Sequence, residues 1–228
     1  AFWPGPLTML LQKHHELPSA ITGGQETVAV RIPNHPIALE LLSRFNNPLV
    51  APSANKFGRI SPTCSADVIA EFGSEIAGVI DGGQCEVGIE STILDLTHHK
   101  APRILRPGMI NIEQLQPYFS EVIIQANNDN TTPQVSGSFP SHYAPTKPTF
   151  MIRPEQLRQL NINKEIALLA FNNISPQVYA YELYKTLRHW DNDDAIKQII
   201  IETPPDNFAW HGIQDRIKKA SANTWFEI

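Results

Sequence analysis

The sequence predicts an α/β fold in two parts: a mixed-sheet region, then a linker, then a small parallel Rossmann-like α/β region. Three observations carry this. Short apolar or β-branched runs alternate with helical periodicities in the first part. Residues 125–148 turn polar, and the order after them is strand, helix, strand, helix. The expected boundaries are 1–118, 119–148 and 149–228.

In the first part, Leu7–Leu11, Thr27–Ile32, Leu49–Ala51, Ala77–Ile80 and Ser91–Leu96 have the length and composition of strands. Pro36–Phe45 sets Ile37, Leu41 and Phe45 at steps of four behind a proline in the first turn, and Ser65–Phe72 offers a serine as N-cap. Gln125–Pro133 has almost nothing to bury and is expected to be mobile or extended. Ser136–Pro145 differs, because Phe139, His142 and Tyr143 sit inside it; they serve either as tethers or as working residues. Beyond the linker, Thr149–Ile152, Ile166–Phe171 and Gln198–Ile201 read as buried strands. Val178–Trp190, with Ala180, Leu183, Leu187 and Trp190 three or four apart, and Gly212–Ala222 read as helices.

The balance of charges narrows the function. Lys plus Arg number 18 against 23 Asp plus Glu, a net charge of -5, so no global positive field attracts a phosphate polymer. No apolar run approaches the ~18 residues of a membrane span. The 2 cysteines, Cys64 and Cys85, make neither a disulfide framework nor a zinc motif and fit a reducing cytoplasm. A chain opening on Ala1-Phe2-Trp3, without Met and with two large aromatics, is expected to lack the N-terminus of a longer protein. GxGxxG, Walker A, HExxH and GxSxG motifs are absent from the sequence.

The remaining candidates are arginines and hydroxyls at strand ends. Pro52-Ser53-Ala54-Asn55 follows Leu49-Val50-Ala51 and precedes Lys56, Arg59 and Ser61, a loop equipped to grip an anion or nucleotide. The same residues also suit an Asx- or Ser-type turn. Arg31 follows one strand and Arg106 ends another before Pro107-Gly108; each offers a planar fork for carboxylate or phosphate, or for a surface salt bridge. Ser91 heads an apolar strand and must find a hydrogen-bond partner there. His14-His15 and His98-His99 lack ligand spacing and read as solvated loop residues.

Six motifs in order, Trp3-Pro-Gly-Pro-Leu-Thr8, Val28-Ala-Val-Arg31-Ile-Pro33, Pro52-Ser-Ala-Asn55, Gly88-Ile-Glu-Ser-Thr92, Leu105-Arg-Pro-Gly108 and His142-Tyr-Ala-Pro145, resemble the YrdC-like threonylcarbamoyl-AMP synthases. Ala180-Tyr-Glu-Leu-Tyr184, Ile201-Glu-Thr-Pro-Pro205 and Asp215-Arg216 look like the C-terminal domain of the family's long form. The resemblance implies a nucleotidyltransferase that joins L-threonine, bicarbonate and ATP into threonylcarbamoyl-adenylate and releases pyrophosphate. Downstream tRNA-modification proteins would then use the product to make threonylcarbamoyladenosine. It implies ATP contacts at Thr27, Ser53, Asn55, Ser61 and Arg106, with His142 and Tyr143 acting as a lid, and threonine contacts at Arg31, Ala51 and Ser91. A magnesium ion is expected to travel with the triphosphate, its ligands unassigned, and no covalent nucleophile is implied.

The family also carries an N-terminal portion with a Lys-x-Arg motif, which this sequence does not include, and Ser136-Gly137-Ser138 stands where many relatives have Pro-Gly-Met. Two rival readings are a non-catalytic RNA-binding YrdC-like module and a carbamoyl transfer of the hydrogenase-maturation kind. Against the first, residues 1–115 hold eight Lys/Arg and eleven Asp/Glu. Against the second, the C-terminal motifs match the synthase.

Overall fold

Five strands build the first sheet: β1 (Leu7–Gln12), β2 (Thr27–Val30), β3 (Thr92–Asp95), β4 (Arg103–Arg106) and β5 (Ile123–Ile124), in the order β2-β1-β3-β4-β5. β1 pairs antiparallel with β2 and parallel with β3, while β4 pairs antiparallel with β3 and parallel with β5. The sheet is therefore mixed, as expected. This is a computed structural model, and it describes residues 1–97, 102–124, 135, 142–171 and 173–227. The expectations for His98-His99, Gln125–Pro133, Ser136–Ser138 and Phe139 fall outside those residues.

The chain divides into two compact units, one of Ala1–Pro52 and Glu90–Ser138, the other of Ser53–Ile89 and Phe139–Ile228. In the first, Leu7, Leu94, Ile104, Leu115 and Val122 form the core, with Phe2, Trp3 and Phe119 packed against it. The short helix α3 (Ile112–Leu115) is started by a capping box: the Asn111 side chain accepts from the Gln114 amide, and Gln114 returns the bond to the Asn111 amide. Helix α1 (Pro36–Phe45) begins at its proline and ends at Asn46, whose φ of 53° closes the last turn. Its stripe of Ile37, Leu41 and Phe45 stays exposed. β5 lies inside the stretch expected to be linker. Its two isoleucines are β-branched and apolar, a local signal that the polarity of the following residues outweighs when a window is averaged.

In the second unit β6 (Thr149–Ile152), β7 (Ile166–Leu169) and β8 (Gln198–Glu202) form a parallel sheet ordered β6-β8-β7. Ile199, Ile200 and Ile201 in the central strand have no exposed surface, as the continuous apolar run requires of a strand covered on both faces. Helices α4 (Pro176–Asn192) and α5 (His211–Ala220) follow β7 and β8. Ser175 caps α4 by accepting from the Val178 amide, with Pro176 in the first turn. Helix α2 (Ser65–Phe72) has the expected span, but Cys64 rather than Ser65 stands at its N-cap.

Two expected strands are absent. Leu49–Ala51 and Ala77–Ile80 are irregular, with Val50 66% and Ile80 64% exposed. Apolar runs of three or four residues do not fix a strand unless a neighbouring strand takes their backbone hydrogen bonds, and among the described residues none does.

Candidate functional site

In the first unit a buried cluster forms where β3 and β4 meet. Arg106 ends β4 with only 7% of its surface exposed. Its Nε donates to the Ser91 carbonyl at 3.1 Å and its Nη2 to the Ser91 hydroxyl at 3.2 Å. That hydroxyl also shares a 2.6 Å hydrogen bond with Thr8 Oγ1 on β1. Two local features aim these groups. A register shift between Ile93 and Leu94 bends the β3–β4 ladder beside them. Gly108 lets the chain after Arg106 press against β3, where a Cβ would lie 2.5 Å from the Thr92 amide nitrogen and 2.8 Å from its hydroxyl. Thr92 in turn donates to the Ile110 carbonyl at 2.7 Å and pins the chain after that glycine.

Of the other residues expected at the site, Thr27 begins β2 opposite Gln12, and its hydroxyl is buried without a partner among the described residues. Arg31 leaves β2 directly after Val30, which pairs with Met9, so it emerges beside Thr8. Arg31 and Ala51 are exposed, and Ala51 lies in an irregular segment rather than at the end of the expected strand.

The remaining candidates belong to the second unit. Ser53 is exposed. Asn55 uses its side-chain amide to close its own loop, donating to the carbonyls of Lys56 at 2.9 Å and Arg59 at 3.1 Å, while its Oδ1 is buried with no partner among the described residues. Orphaned buried acceptors are rare in folded proteins, and Thr27 and Asn55 both carry one. The chain at Ala144 runs beside this loop: its amide donates to the Gly58 carbonyl at 2.9 Å, and Arg59 and Ala144 form an isolated parallel bridge. His142 and Tyr143 are buried, the Phe57 ring stands 6.0 Å from His142, and Tyr143 packs 5.8 Å from Tyr184 and 5.3 Å from the buried Arg216 guanidinium.

Sequence reasoning missed the partners on α4. Arg188 donates to the carbonyls of Ile60 and of Ser61, the latter at 3.2 Å, and forms an ion pair with Glu71 at 2.9 Å. Asp191 takes Arg59 at 3.2 Å. The signal was present as spacing, since Tyr184, Arg188 and Asp191 stand at i, i+4 and i+7 on one helix face.

Among the described residues no group of three or more His, Cys, Asp or Glu could hold a metal ion. A set of guanidinium and hydroxyl groups does not fit a divalent cation, which seeks carboxylate and carbonyl oxygens. The donors fit an anion instead. No helix among the described residues is long and apolar enough to cross a membrane.

A mixed sheet bearing a buried Arg–Ser–Thr cluster, with a separate parallel sheet, defines the class: a two-part α/β protein. Comparisons with known proteins narrow it. A Sua5/YciO/YrdC family model described as "Telomere recombination" matches residues 1–108, and one described as "Threonylcarbamoyl-AMP synthase, C-terminal domain" matches residues 110–222. The threonylcarbamoyl-AMP synthase of Pyrococcus abyssi is 32% identical over 244 residues, covering 96% of this chain and 71% of that protein. The Bacillus subtilis protein of the same name is 32% identical over 246 residues, with 96% and 70% covered. The crystal structure of P. abyssi Sua5 complexed with L-threonine matches with a TM-score of 0.88 at 31% identity, covering 100% of this chain and 73% of the other. A P. abyssi Sua5 variant with an adjacent histidine and tyrosine both changed to alanine matches with a TM-score of 0.87 at 30% identity. The chain belongs to the Sua5/YrdC family of threonylcarbamoyl-AMP synthases.

Proposed function

We propose that this protein is an L-threonylcarbamoyladenylate synthase, a nucleotidyltransferase that makes threonylcarbamoyl-AMP and pyrophosphate from L-threonine, bicarbonate and ATP. The observation that carries it is the buried Arg106–Ser91–Thr8 cluster in a chain whose two halves match the two parts of that family. The product would pass to downstream tRNA-modification proteins in the cytoplasm. The domain boundaries in this reading remain 1–118, 119–148 and 149–228.

The chemistry asks for these residue types. Threonine's amine takes up bicarbonate to give a carbamate, with loss of water. A carbamate oxygen then bonds to the α-phosphorus as the bond to the bridging oxygen breaks, and pyrophosphate leaves with that electron pair. Both partners are anions, so the barrier is repulsion and misalignment, which fixed donors counter without forming a covalent intermediate. Arg106, Thr27, Ser53, Asn55 and Ser61 are assigned to ATP, and Arg31, Ala51 and Ser91 to threonine. His142 and Tyr143 are assigned to closing off water. A magnesium ion would be held by the triphosphate itself and would offset part of its charge, since the described residues include no cluster that would hold one.

The test is pyrophosphate release from ATP, dependent on both threonine and bicarbonate. Arg106→Ala is expected to lower it by at least about a hundredfold, the usual cost of removing a fixed charge-stabilising donor. Wild-type turnover in that variant would refute the assignment.

A further inference from the structure

Residues 53–89 precede the linker, yet they pack with residues 139–228 in one compact unit. Beside the chain at residues 142–144, which meets Phe57, Gly58 and Arg59, the contact face includes one stripe of α4. At its start Gly88 lies against the Ala180 carbonyl, so close that a Cβ would sit 2.1 Å from it. One turn on, Tyr184 packs on Tyr143. Another turn on is Arg188, with 13% of its side chain exposed, and then Asp191, with 5%.

Arg188 is the centre of the stripe. Its Nε donates to the Ser61 carbonyl, and its Nη2 donates to the Ile60 carbonyl and to Glu71. Asp67 lies 3.9 Å from Nε and itself accepts from the Thr63 amide at 2.8 Å and hydroxyl at 3.3 Å. The other oxygen of Glu71 accepts from the Lys56 amide at 2.8 Å. One guanidinium thereby ties both ends of the Lys56–Thr63 loop, directly at Ile60 and Ser61 and through two carboxylates at Lys56 and Thr63. Asp191 fastens the middle: it holds Arg59 and also accepts from the Thr146 amide at 2.8 Å, the Thr146 hydroxyl at 2.7 Å and the Lys147 amide at 3.0 Å. A planar fork can serve two consecutive carbonyls and a carboxylate at once, which an ammonium on a flexible stem cannot.

We infer that Arg188 is a positioning residue for nucleotide binding: it holds the Asn55–Thr63 loop, through its backbone, in the form that receives the triphosphate. The inference rests on the synthase reading for the identity of the ligand and on the hydrogen-bond pattern for the rest. It assigns α4 a task, that of a fixed strut behind a loop which alone has few buried apolar contacts to keep its shape.

The experiment compares the intact wild-type chain with Arg188→Met and Arg188→Lys by hydrogen exchange and by calorimetric titration with MgATP. Arg188→Met is expected to speed exchange in peptides covering residues 53–63 by about tenfold or more while β6, β7 and β8 keep their protection. It is also expected to weaken ATP binding by about tenfold or more, with threonine affinity unchanged. Arg188→Lys, which keeps the charge between Glu71 and Asp67, is expected to fall between the two and supplies the reading if the Met variant does not fold. Unchanged exchange over 53–63, or faster exchange with unaltered ATP affinity, overturns the inference. If loop and ATP respond as expected but the wild-type chain releases no pyrophosphate with threonine and bicarbonate, the positioning role stands and the synthase reading falls.

Discussion

Asp95 shows how a single carboxylate is held in place in the first sheet. Its side chain is fully buried and pairs with Arg103 at 2.9 Å, while Thr97 donates to it from its hydroxyl at 2.6 Å and its amide at 2.9 Å. Burial pushes the carboxyl up, but the Thr97 donors and the Arg103 guanidinium outweigh burial and hold it below the usual aspartate range. A folded value below the unfolded one means the stabilisation is full above about pH 4, the ordinary aspartate value, and is lost as pH falls through the lower folded value. Asp95→Asn should therefore cost about 1–3 kcal/mol at neutral pH and flatten the acid limb of stability. Urea midpoints measured from pH 7 down to pH 2 check this; identical curves for parent and variant would contradict it. Gly88 gives a second prediction at this scale. Its φ is +82°, and an added Cβ would meet the backbone at Ala180 and Tyr181, which cannot swing aside. Gly88→Ala should destabilise the chain by about 2–4 kcal/mol in the same assay.

Helix α4 is where the sequence was read best and also least completely. Periodicity alone marks Ala180, Leu183, Leu187 and Trp190, and the structure buries the first three and leaves Trp190 half-buried near the helix end. Leu187, with no exposed surface, should lose about 2–5 kcal/mol on change to Ala, measured by denaturant midpoint. The second stripe, Tyr184, Arg188 and Asp191, looks like an ordinary solvated face, because polar residues on a helix carry no mark of which surface will cover them. Elements whose order is set by local chemistry were legible: α2 by its span, α1 by its proline, the parallel sheet by its isoleucine run. Leu49–Ala51 and Ala77–Ile80 were not, since a strand is a relation between two segments and a short apolar run shows only one. The candidate site divides the same way. Arg106 and Ser91 stand out by their places at strand ends and lie in hydrogen-bond contact, but Thr8, their third member, enters only as the last residue of the Trp3–Thr8 motif, because a threonine in a strand carries no mark of the partner it will meet.

Across the whole molecule the net charge of -5 makes a prediction about partners. A phosphate polymer held by many lysines and arginines binds with an affinity that falls steeply as salt rises. A gel shift with tRNA should show weak binding with little salt dependence; tight binding lost between about 50 and 200 mM salt would revive the RNA-binding reading. The pairing of residues 53–89 with 139–228 also has a consequence in time. Ser61 and Arg188 stand 127 positions apart in the chain. On a ribosome adding about 5–20 residues per second, the loop emerges roughly 6–25 s before the arginine that fastens it. Throughout that wait the acidic side chains Asp67 and Glu71, just after the loop, lack the arginine that will pair with them, and acidic residues beside an unfinished segment discourage a nascent stretch from sticking to its neighbours until the brace arrives.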